Sequence, residues 1–164
     1  MININFFKLR RIKMDSKRIT DVAGIDYLWQ VDNLYLAGQP SVETMTEMKE
    51  RGVAHVYNLR NEGEVDQSEI KAKAEELGMK YHHIPIIVNG MLDAENCKKL
   101  SNLITKDEPH FIHCGSANRV GAWLITYLTQ YRGMDFDEAV DVASENGLSN
   151  PGFIAQAQDV VEND

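Results

Sequence analysis

The stretch "PHFIHCGSANRVGAWL", residues 109–124, decides the fold and the place of its chemistry. Its first part, "HFIH" (110–113), is a short run typical of a buried strand, and residues 119–131 form a helical pattern that is apolar on most sides. Cys114 lies between the two, where the strand ends and the helix is about to begin. In an open α/β sheet, ligands bind outside the carboxyl ends of the strands. We therefore expect Cys114 to lie at a ligand site.

The residues that follow Cys114 suit an anion. The first N–H groups of a helix have no partner within the helix and point toward the space in front of it, and the positive end of the helix favours a thiolate as well. Gly115 permits a close approach of the backbone or a positive φ angle. Arg119 can bind two phosphate oxygens at once, while Ser116 and Asn118 add side-chain hydrogen bonds. The alternative is an inert buried cysteine with a surface arginine nearby.

Strand and helix patterns alternate along the rest of the chain. Strand patterns occupy residues 27–31, 33–37, 53–60, 79–86 and 110–113. Helical patterns follow Ser41 and Asp93, which are typical N-cap residues, and others cover residues around 70–77, 119–131, 136–143 and 153–161. This alternation predicts an α/β fold with a central, mostly parallel sheet of four to five strands, flanked by helices.

Length and composition favour one soluble domain. The 164 residues divide into a basic N-terminal arm, residues 1–20, and a single domain, residues 21–164. The net charge of -8 argues against broad nucleic-acid binding. The chain has no apolar segment typical of a signal peptide or a membrane span, and its two cysteines are too few for a disulfide framework, so a cytoplasmic setting is expected. Oligomeric state does not follow from the sequence.

No metal or other cofactor is expected. His82 and His83 are neighbours in a predicted strand, so their side chains point to opposite faces of the sheet and cannot easily chelate one ion. Cys97 could pair reversibly with Cys114, although a core position on its helix is the alternative that we favour.

Several motifs together resemble the cysteine-dependent protein phosphatases. "FIHCGSANRVGAWL" resembles their signature loop, and "LYLAGQPSVETMTEMKERGVAHVYNLR", with Glu64 following, resembles the start of a dual-specificity phosphatase domain. The segments "GQP", "NLR" with the later glutamate, and "HIPI" recur in this order in a bacterial phosphatase-like family related to the domain fused to beta-lactamase-type hydrolases. The resemblance covers roughly residues 25–130 and implies the dual-specificity phosphatase-like fold.

The resemblance also implies roles for individual residues. Cys114 would be the nucleophile that forms a phosphocysteine, and Arg119 would bind the phosphoryl oxygens and stabilise the transition state. The phosphate cradle would comprise Gly115, Ser116, Ala117, Asn118 and Arg119. His113, Gln39, Asn58 and Arg60 would support the site. The implied reaction is hydrolysis of a phosphomonoester on a small molecule or a phosphoprotein, with protein phosphotyrosine as one option.

The chain departs from that family at three places. Four residues instead of five separate Cys114 from Arg119, and Val120 stands where a Ser or Thr usually follows the arginine. Val88 and Asn89 occupy the place of the aspartate that protonates the leaving group. Asp93 is the nearest substitute for that acid, and an N-cap is its alternative role.

These departures keep three functions open. Glu62, Glu64 and Asp66, on another loop, are further candidates for the missing acid, or else form a solvated charged loop. A four-residue loop is also typical of rhodanese sulfurtransferases, which carry a persulfide on the cysteine. A chain without a general acid could also be a pseudophosphatase that binds phosphate without hydrolysing it.

Overall fold

A six-stranded sheet runs through the centre of the computed structural model, which describes residues 13–163. Its strands in chain order are β1 (Ser16–Arg18), β2 (Leu28–Val31), β3 (Leu34–Ala37), β4 (His55–Asn58), β5 (Lys80–His83) and, numbered after a separate hairpin, β8 (His110–His113). The hairpin consists of β6 (Ile87–Val88) and β7 (Met91–Leu92). Across the sheet the order is β1-β2-β3-β8-β4-β5.

The strand that precedes Cys114 is central. β8 pairs in parallel with β3 on one side and with β4 on the other, and β4 pairs in parallel with β5. The pairs β1–β2 and β2–β3 are antiparallel. The carboxyl ends of β3, β8 and β4 therefore meet at one edge of the sheet, with Cys114 in the middle.

Within residues 13–163, six helices cover the two faces of the sheet. They are α1 (Val42–Glu50), α2 (Ser68–Glu76), α3 (Ala94–Leu103), α4 (Asn118–Arg132), α5 (Phe136–Glu145) and α6 (Gly152–Glu162). One hydrophobic core lies between the sheet and α3–α6, and the other lies between the sheet and α1 and α2. The predicted α/β architecture is confirmed.

Helix α4 is buried over most of its length. Residues 120–128 are all buried, because α3, α5 and α6 pack around the helix. Trp123 is fully buried, and its indole N–H donates to the hydroxyl of Ser101 on α3 at 3.0 Å. Arg119, in the first turn of this helix, is therefore carried by a rigid element of the core.

The sheet has one strand more than predicted. Ser16–Arg18 lie within the predicted basic arm, yet they pair with Trp29–Val31 of β2 and extend the sheet. The pattern was too short and too charged to indicate a strand, because all three residues are exposed at an edge. Residues 1–12 of the predicted arm lie outside the described residues.

Both predicted N-caps close their helices. The Thr44 amide donates to the hydroxyl of Ser41 at 3.4 Å, and the Asn96 amide donates to the carboxylate of Asp93 at 2.8 Å. Within the described residues, no helix is both long enough and apolar enough to cross a membrane.

Candidate active site

Cys114 lies directly beyond the central strand and is almost completely buried. Its side chain is 1 % exposed, and its amide donates to the carbonyl of Ala37, the last residue of β3, at 3.1 Å. The neighbouring strand β4 continues alongside, because the Leu59 amide donates to the carbonyl of His113 at 2.9 Å. Cys114 is thus held between two parallel strands at the bottom of the loop that leads into α4.

The loop turns through a left-handed residue. Ala117, with φ of 71°, adopts this conformation immediately before α4. Left-handed backbone is unfavourable for a residue with a Cβ and is concentrated at functional sites. The positive φ that the sequence allowed for Gly115 falls on Ala117 instead.

The "GQP" segment braces this loop from the side. The amide of Gln39 donates to the carbonyl of Gly115 at 3.1 Å, and Gly38 forms a bridge with Ser116. A Cβ on Gly38 would lie only 2.9 Å from the Gly115 carbonyl oxygen. Glycine at this position therefore allows the two backbones to touch.

Backbone N–H groups of the loop are available to a ligand. Among the hydrogen bonds of residues 13–163, none uses the amide of Gly115, Ser116, Asn118 or Arg119 as a donor. These amides belong to the loop around Cys114 and the first turn of α4, where the helix dipole favours an anion. These unused donors are where the predicted phosphate cradle would bind its anion, and that role stays a prediction.

Asn118 ties the cradle to the loop between α5 and α6. Its Oδ1 accepts from the amides of Ser149 and Asn150 at 2.8 and 2.9 Å, and its Nδ2 donates to the hydroxyl of Ser116 at 3.1 Å. Both side chains thus have partners within the protein that hold the loop's shape, and their hydrogen bonds to an anion stay a prediction.

Glu64 holds the guanidinium of Arg119. The Nη1 and Nη2 atoms of Arg119 donate to the two carboxylate oxygens of Glu64 at 2.8 and 2.9 Å. These hydrogen bonds lower the pKa of Glu64 to about 2, against the opposing effect of its partial burial. Burial also opposes the charge of Arg119, but Glu64 and the Cys114 sulfur raise the pKa of the guanidinium overall. Arg119 is therefore a permanent cation beside the sulfur.

Three other predicted supporting residues meet at the end of β4. The side-chain Oδ1 of Asn58 accepts from the amide of Arg60 at 2.9 Å, and Nη1 of Arg60 donates to Oε1 of Gln39 at 3.1 Å. The amide group of Gln39 is paired with that of Gln67 at 2.8 and 3.0 Å. The sequence patterns did not indicate Gln67, because nothing in its surroundings distinguishes it from a surface residue.

His113 is buried next to the cysteine in its neutral form. It is 0 % exposed, and neither ring nitrogen makes a hydrogen bond of normal geometry within the described residues. Burial lowers the pKa of His113 to about 3, and the charges of Arg60 and Arg119 act in the same direction, against the opposing effect of the Cys114 amide. A neutral imidazole at this place cannot supply a positive charge to the sulfur.

The stability of the fold is expected to fall in mild acid because of His113. A histidine whose pKa is depressed by folding binds its proton more readily in the unfolded chain, so the free energy of unfolding decreases as the pH falls below about 6.5. With a folded pKa of about 3, His113 alone should remove about 2 kcal/mol between pH 7 and pH 5. His82 and His110, whose pKa values are also lowered chiefly by burial, add to the loss.

Urea unfolding at the two pH values measures this loss in the wild type and in His113→Gln. The variant should lose about 2 kcal/mol less than the wild type over the same interval, whatever its stability at pH 7. An equal loss in both proteins would contradict the assignment to His113.

The position expected for a general acid is occupied by a tight turn. Asn89 and Gly90, with φ of 51° and 78°, connect β6 to β7 in the manner of a two-residue hairpin, for which Asn-Gly is the preferred sequence. The hairpin, residues 87–92, contains no acidic side chain. The missing aspartate is thus replaced by a different local structure.

The four carboxylates that the sequence suggested as substitutes have different surroundings. Asp93 caps α3 directly after the hairpin, and Glu64 is paired with Arg119. Glu62 and Asp66 line a cavity of about 700 Å³ near α2 and β5. None of these contacts tests proton donation, so a general acid role for Asp93 stays a prediction.

The remaining candidates lie in other environments. His82 faces His55, with ring nitrogens 3.2 Å apart, while Nε2 of His83 donates to the carbonyl of Arg60 at 2.7 Å. The two histidines therefore have separate partners, and residues 13–163 contain no group of three or more potential ligands for a metal ion. Cys97 is buried in the core, and burial raises the pKa of its thiol to about 12.

Glu64 is the site residue whose role the sequence did not reveal. The sequence patterns indicate Glu64 only as the glutamate that follows "NLR" and as one of several candidate acids. The bidentate pair with Arg119 joins residues 55 positions apart, so spacing could not indicate it. The chain's own signal was the charged loop 62–66, which is equally typical of a solvated surface.

Comparison with solved structures gives the same fold. Tk-PTP in its active form matches with a TM-score of 0.67 at 18% identity, over 80% of this chain and 92% of that one. TpbA of P. aeruginosa in complex with phosphotyrosine matches with a TM-score of 0.68 at 14% identity, over 89% and 87% of the two chains. A DUF442 protein from Shewanella putrefaciens CN-32, named as a phosphatase candidate, matches with a TM-score of 0.68 at 21% identity, over 85% and 94%.

Sequence comparison adds no closer relative. No protein-family profile matches the chain, and no curated protein is similar to it in sequence. The predicted link to the domain fused to beta-lactamase-type hydrolases thus stays a prediction. What the solved structures establish is the architecture: the chain has the α/β fold of the dual-specificity-like cysteine phosphatases.

Proposed function

We propose that this protein is a cysteine-dependent phosphatase that hydrolyses a phosphomonoester through a phosphocysteine at Cys114. The observation that carries the proposal is the set of unused loop amides around Cys114 together with the guanidinium of Arg119. Donors arranged in this way stabilise the charge on the equatorial oxygens of a phosphoryl group during its transfer. The fold shared with Tk-PTP and TpbA supports the same reaction.

The proposed reaction has two steps. The thiolate of Cys114 attacks phosphorus, forming the P–S bond while the P–O bond to the leaving group breaks. The leaving oxygen takes a proton from water or, for poorer leaving groups, from Asp93. Water then attacks phosphorus, the P–S bond breaks, and phosphate and the thiolate are released. Arg119 and the amides of Gly115, Ser116 and Asn118 contact the phosphoryl oxygens in both steps. Glu64 keeps the guanidinium in place.

The lack of an acidic side chain in the hairpin, residues 87–92, affects which substrates the protein could hydrolyse. A reaction without an efficient general acid depends strongly on how well the leaving group departs by itself. Aryl phosphates leave more readily than alkyl phosphates, so a phosphorylated tyrosine or another aryl phosphate is the substrate class that we propose. TpbA in complex with phosphotyrosine is a solved example of such a ligand on this fold.

The proposal is tested by trapping the covalent intermediate. Wild-type protein mixed with an aryl phosphate and quenched in acid should carry the mass of one phosphoryl group on the peptide that contains Cys114. A persulfide on the same peptide after thiosulfate treatment, without phosphorylation, would instead favour the sulfurtransferase. Phosphate binding without any covalent product would favour the pseudophosphatase, which the absence of an acid in the hairpin supports.

Asp93 is the proposed acid for substrates with poorer leaving groups. Asp93→Asn separates this role from the cap, because asparagine is an equally good N-cap but has no acidic proton. We expect hydrolysis of an alkyl phosphate to fall by about 10²-fold or more, while aryl phosphates with acidic phenols react at nearly the wild-type rate. Rates for a series of leaving groups measure the difference. A parallel response of both substrate classes would rule out proton donation by Asp93.

A further inference from the structure

A second guanidinium lies beside the cysteine loop. Because the Leu59 amide donates to the carbonyl of His113, Arg60 continues β4 level with Gly115, the residue after the cysteine. A Cβ on Gly115 would lie 3.4 Å from Nη1 of Arg60 and 3.6 Å from Nη2 of Arg119. Two arginine side chains thus converge on the same glycine of the cradle.

Arg60 is held on both its backbone and its side chain. Its amide donates to Asn58, and its carbonyl accepts from His83 at 2.7 Å. Its Nη1 donates to Gln39, which is itself locked to Gln67 by the reciprocal amide pair. Ordering a long arginine side chain costs conformational entropy. An arginine that only faced solvent would gain nothing from that cost, so the fixed side chain of Arg60 indicates a role at the site.

The guanidinium of Arg60 retains donors for a ligand. Its Nε is buried without a hydrogen-bond partner in the described part of the chain, 3.5 Å from Oε1 of Glu64. Its Nη2 makes no hydrogen bond with residues 13–163. Unpaired buried donors of a charged group are costly, and they are common where a ligand completes the site.

Positive charge exceeds negative charge around Glu64, which favours binding of an anion. Its single carboxylate contacts both Arg119, at 2.8 and 2.9 Å, and Arg60, at 3.5 Å. One positive charge among these three side chains is therefore left without a counter-charge, next to the unused amides of the cradle. A phosphoryl group, like the Cys114 thiolate of the proposed reaction, would add negative charge at this place.

We propose that Arg60 is a second phosphate-binding arginine, which donates to an oxygen of the phosphoryl group at Cys114. This inference rests on the proposed function, because the ligand is the phosphoryl group of that reaction. Arg119 and Arg60 would then share the oxygens, with Glu64 fixed between them.

Arg60→Met and Arg60→Lys test this role against orthovanadate and an aryl phosphate. Removing one charge-assisted hydrogen bond should weaken vanadate binding and lower kcat/KM by about 10- to 100-fold in the methionine variant. Lysine keeps the charge without the fork and should recover part of the loss. Arg132→Met, at the far end of α4 and about 20 Å from Arg119 along the helix axis, is the matched control and should leave both quantities unchanged.

The outcomes separate this inference from the proposed function. Wild-type turnover and vanadate affinity that are unchanged in Arg60→Met would overturn the inference alone. The same holds if activity falls while vanadate affinity stays at the wild-type level, because Arg60 would then only brace Gln39 and Gln67. A wild-type protein that neither binds vanadate nor releases phosphate would overturn the proposed function, and the inference with it.

Discussion

Cys114→Ser is expected to lower phosphate release from an aryl phosphate by roughly 10⁴-fold or more. The serine hydroxyl differs from the thiol by one atom and fits the same buried position, but it remains protonated where a thiolate is needed. His113, the residue before it, makes no hydrogen bond of normal geometry within the described residues, so it is not placed to deprotonate a serine hydroxyl. The measurement is kcat/KM for wild type and variant under reducing conditions.

The other cysteine provides the control for this substitution. Cys97 is buried on α3 and is not part of the loop 114–119, so Cys97→Ala should retain catalysis even if it costs some stability. Cys114→Ser should still bind phosphate or vanadate through the amides and Arg119. Equal turnover in wild type and Cys114→Ser would refute nucleophilic catalysis by this residue, and a parallel loss in Cys97→Ala would point to a general effect on folding.

The part of the fold predicted best is the part with a local signal. The buried runs of β3, β4 and β8, the caps Ser41 and Asp93, and the helix after Cys114 each follow from residue types within a few positions of one another. β1 has no such signal, since its three exposed residues form a strand only because β2 offers a free edge. Leu103 shows the same limit, because its spacing from Cys97 and Leu100 is typical of a buried helix face, yet it is 38% exposed.

In the candidate site, too, only the residues with a local sequence signal were predicted. Cys114 and Arg119 were identifiable because strand, glycine and helix occur in immediate succession. The contacts around these two residues come from loops distant in sequence: Glu64 holds the guanidinium of Arg119, Gln39 braces Gly115, and Ser149 anchors Asn118. Such contacts depend on how the loops meet at the carboxyl edge of the sheet. Spacing along the chain contains no information about them.

Arg119→Lys is expected to lower kcat/KM for an aryl phosphate by roughly 10²–10³-fold, although the charge is kept. Nη1 and Nη2 of Arg119 are occupied by Glu64, and the planar guanidinium still has further N–H donors for the phosphoryl oxygens. A lysine ammonium is a point charge that cannot bind Glu64 in a bidentate way and also hold two phosphoryl oxygens.

Steady-state rates and the affinity for inorganic phosphate, both measured in Arg119→Lys, separate binding from transition-state stabilisation. Both should fall, and kcat/KM should fall further than the affinity for inorganic phosphate, because the oxygens carry their transferring charge only in the transition state. Arg132→Lys, at the other end of the same helix, should behave as wild type. Activity within about threefold of wild type would show that charge alone suffices, and the fork held by Glu64 would then have no part in the reaction.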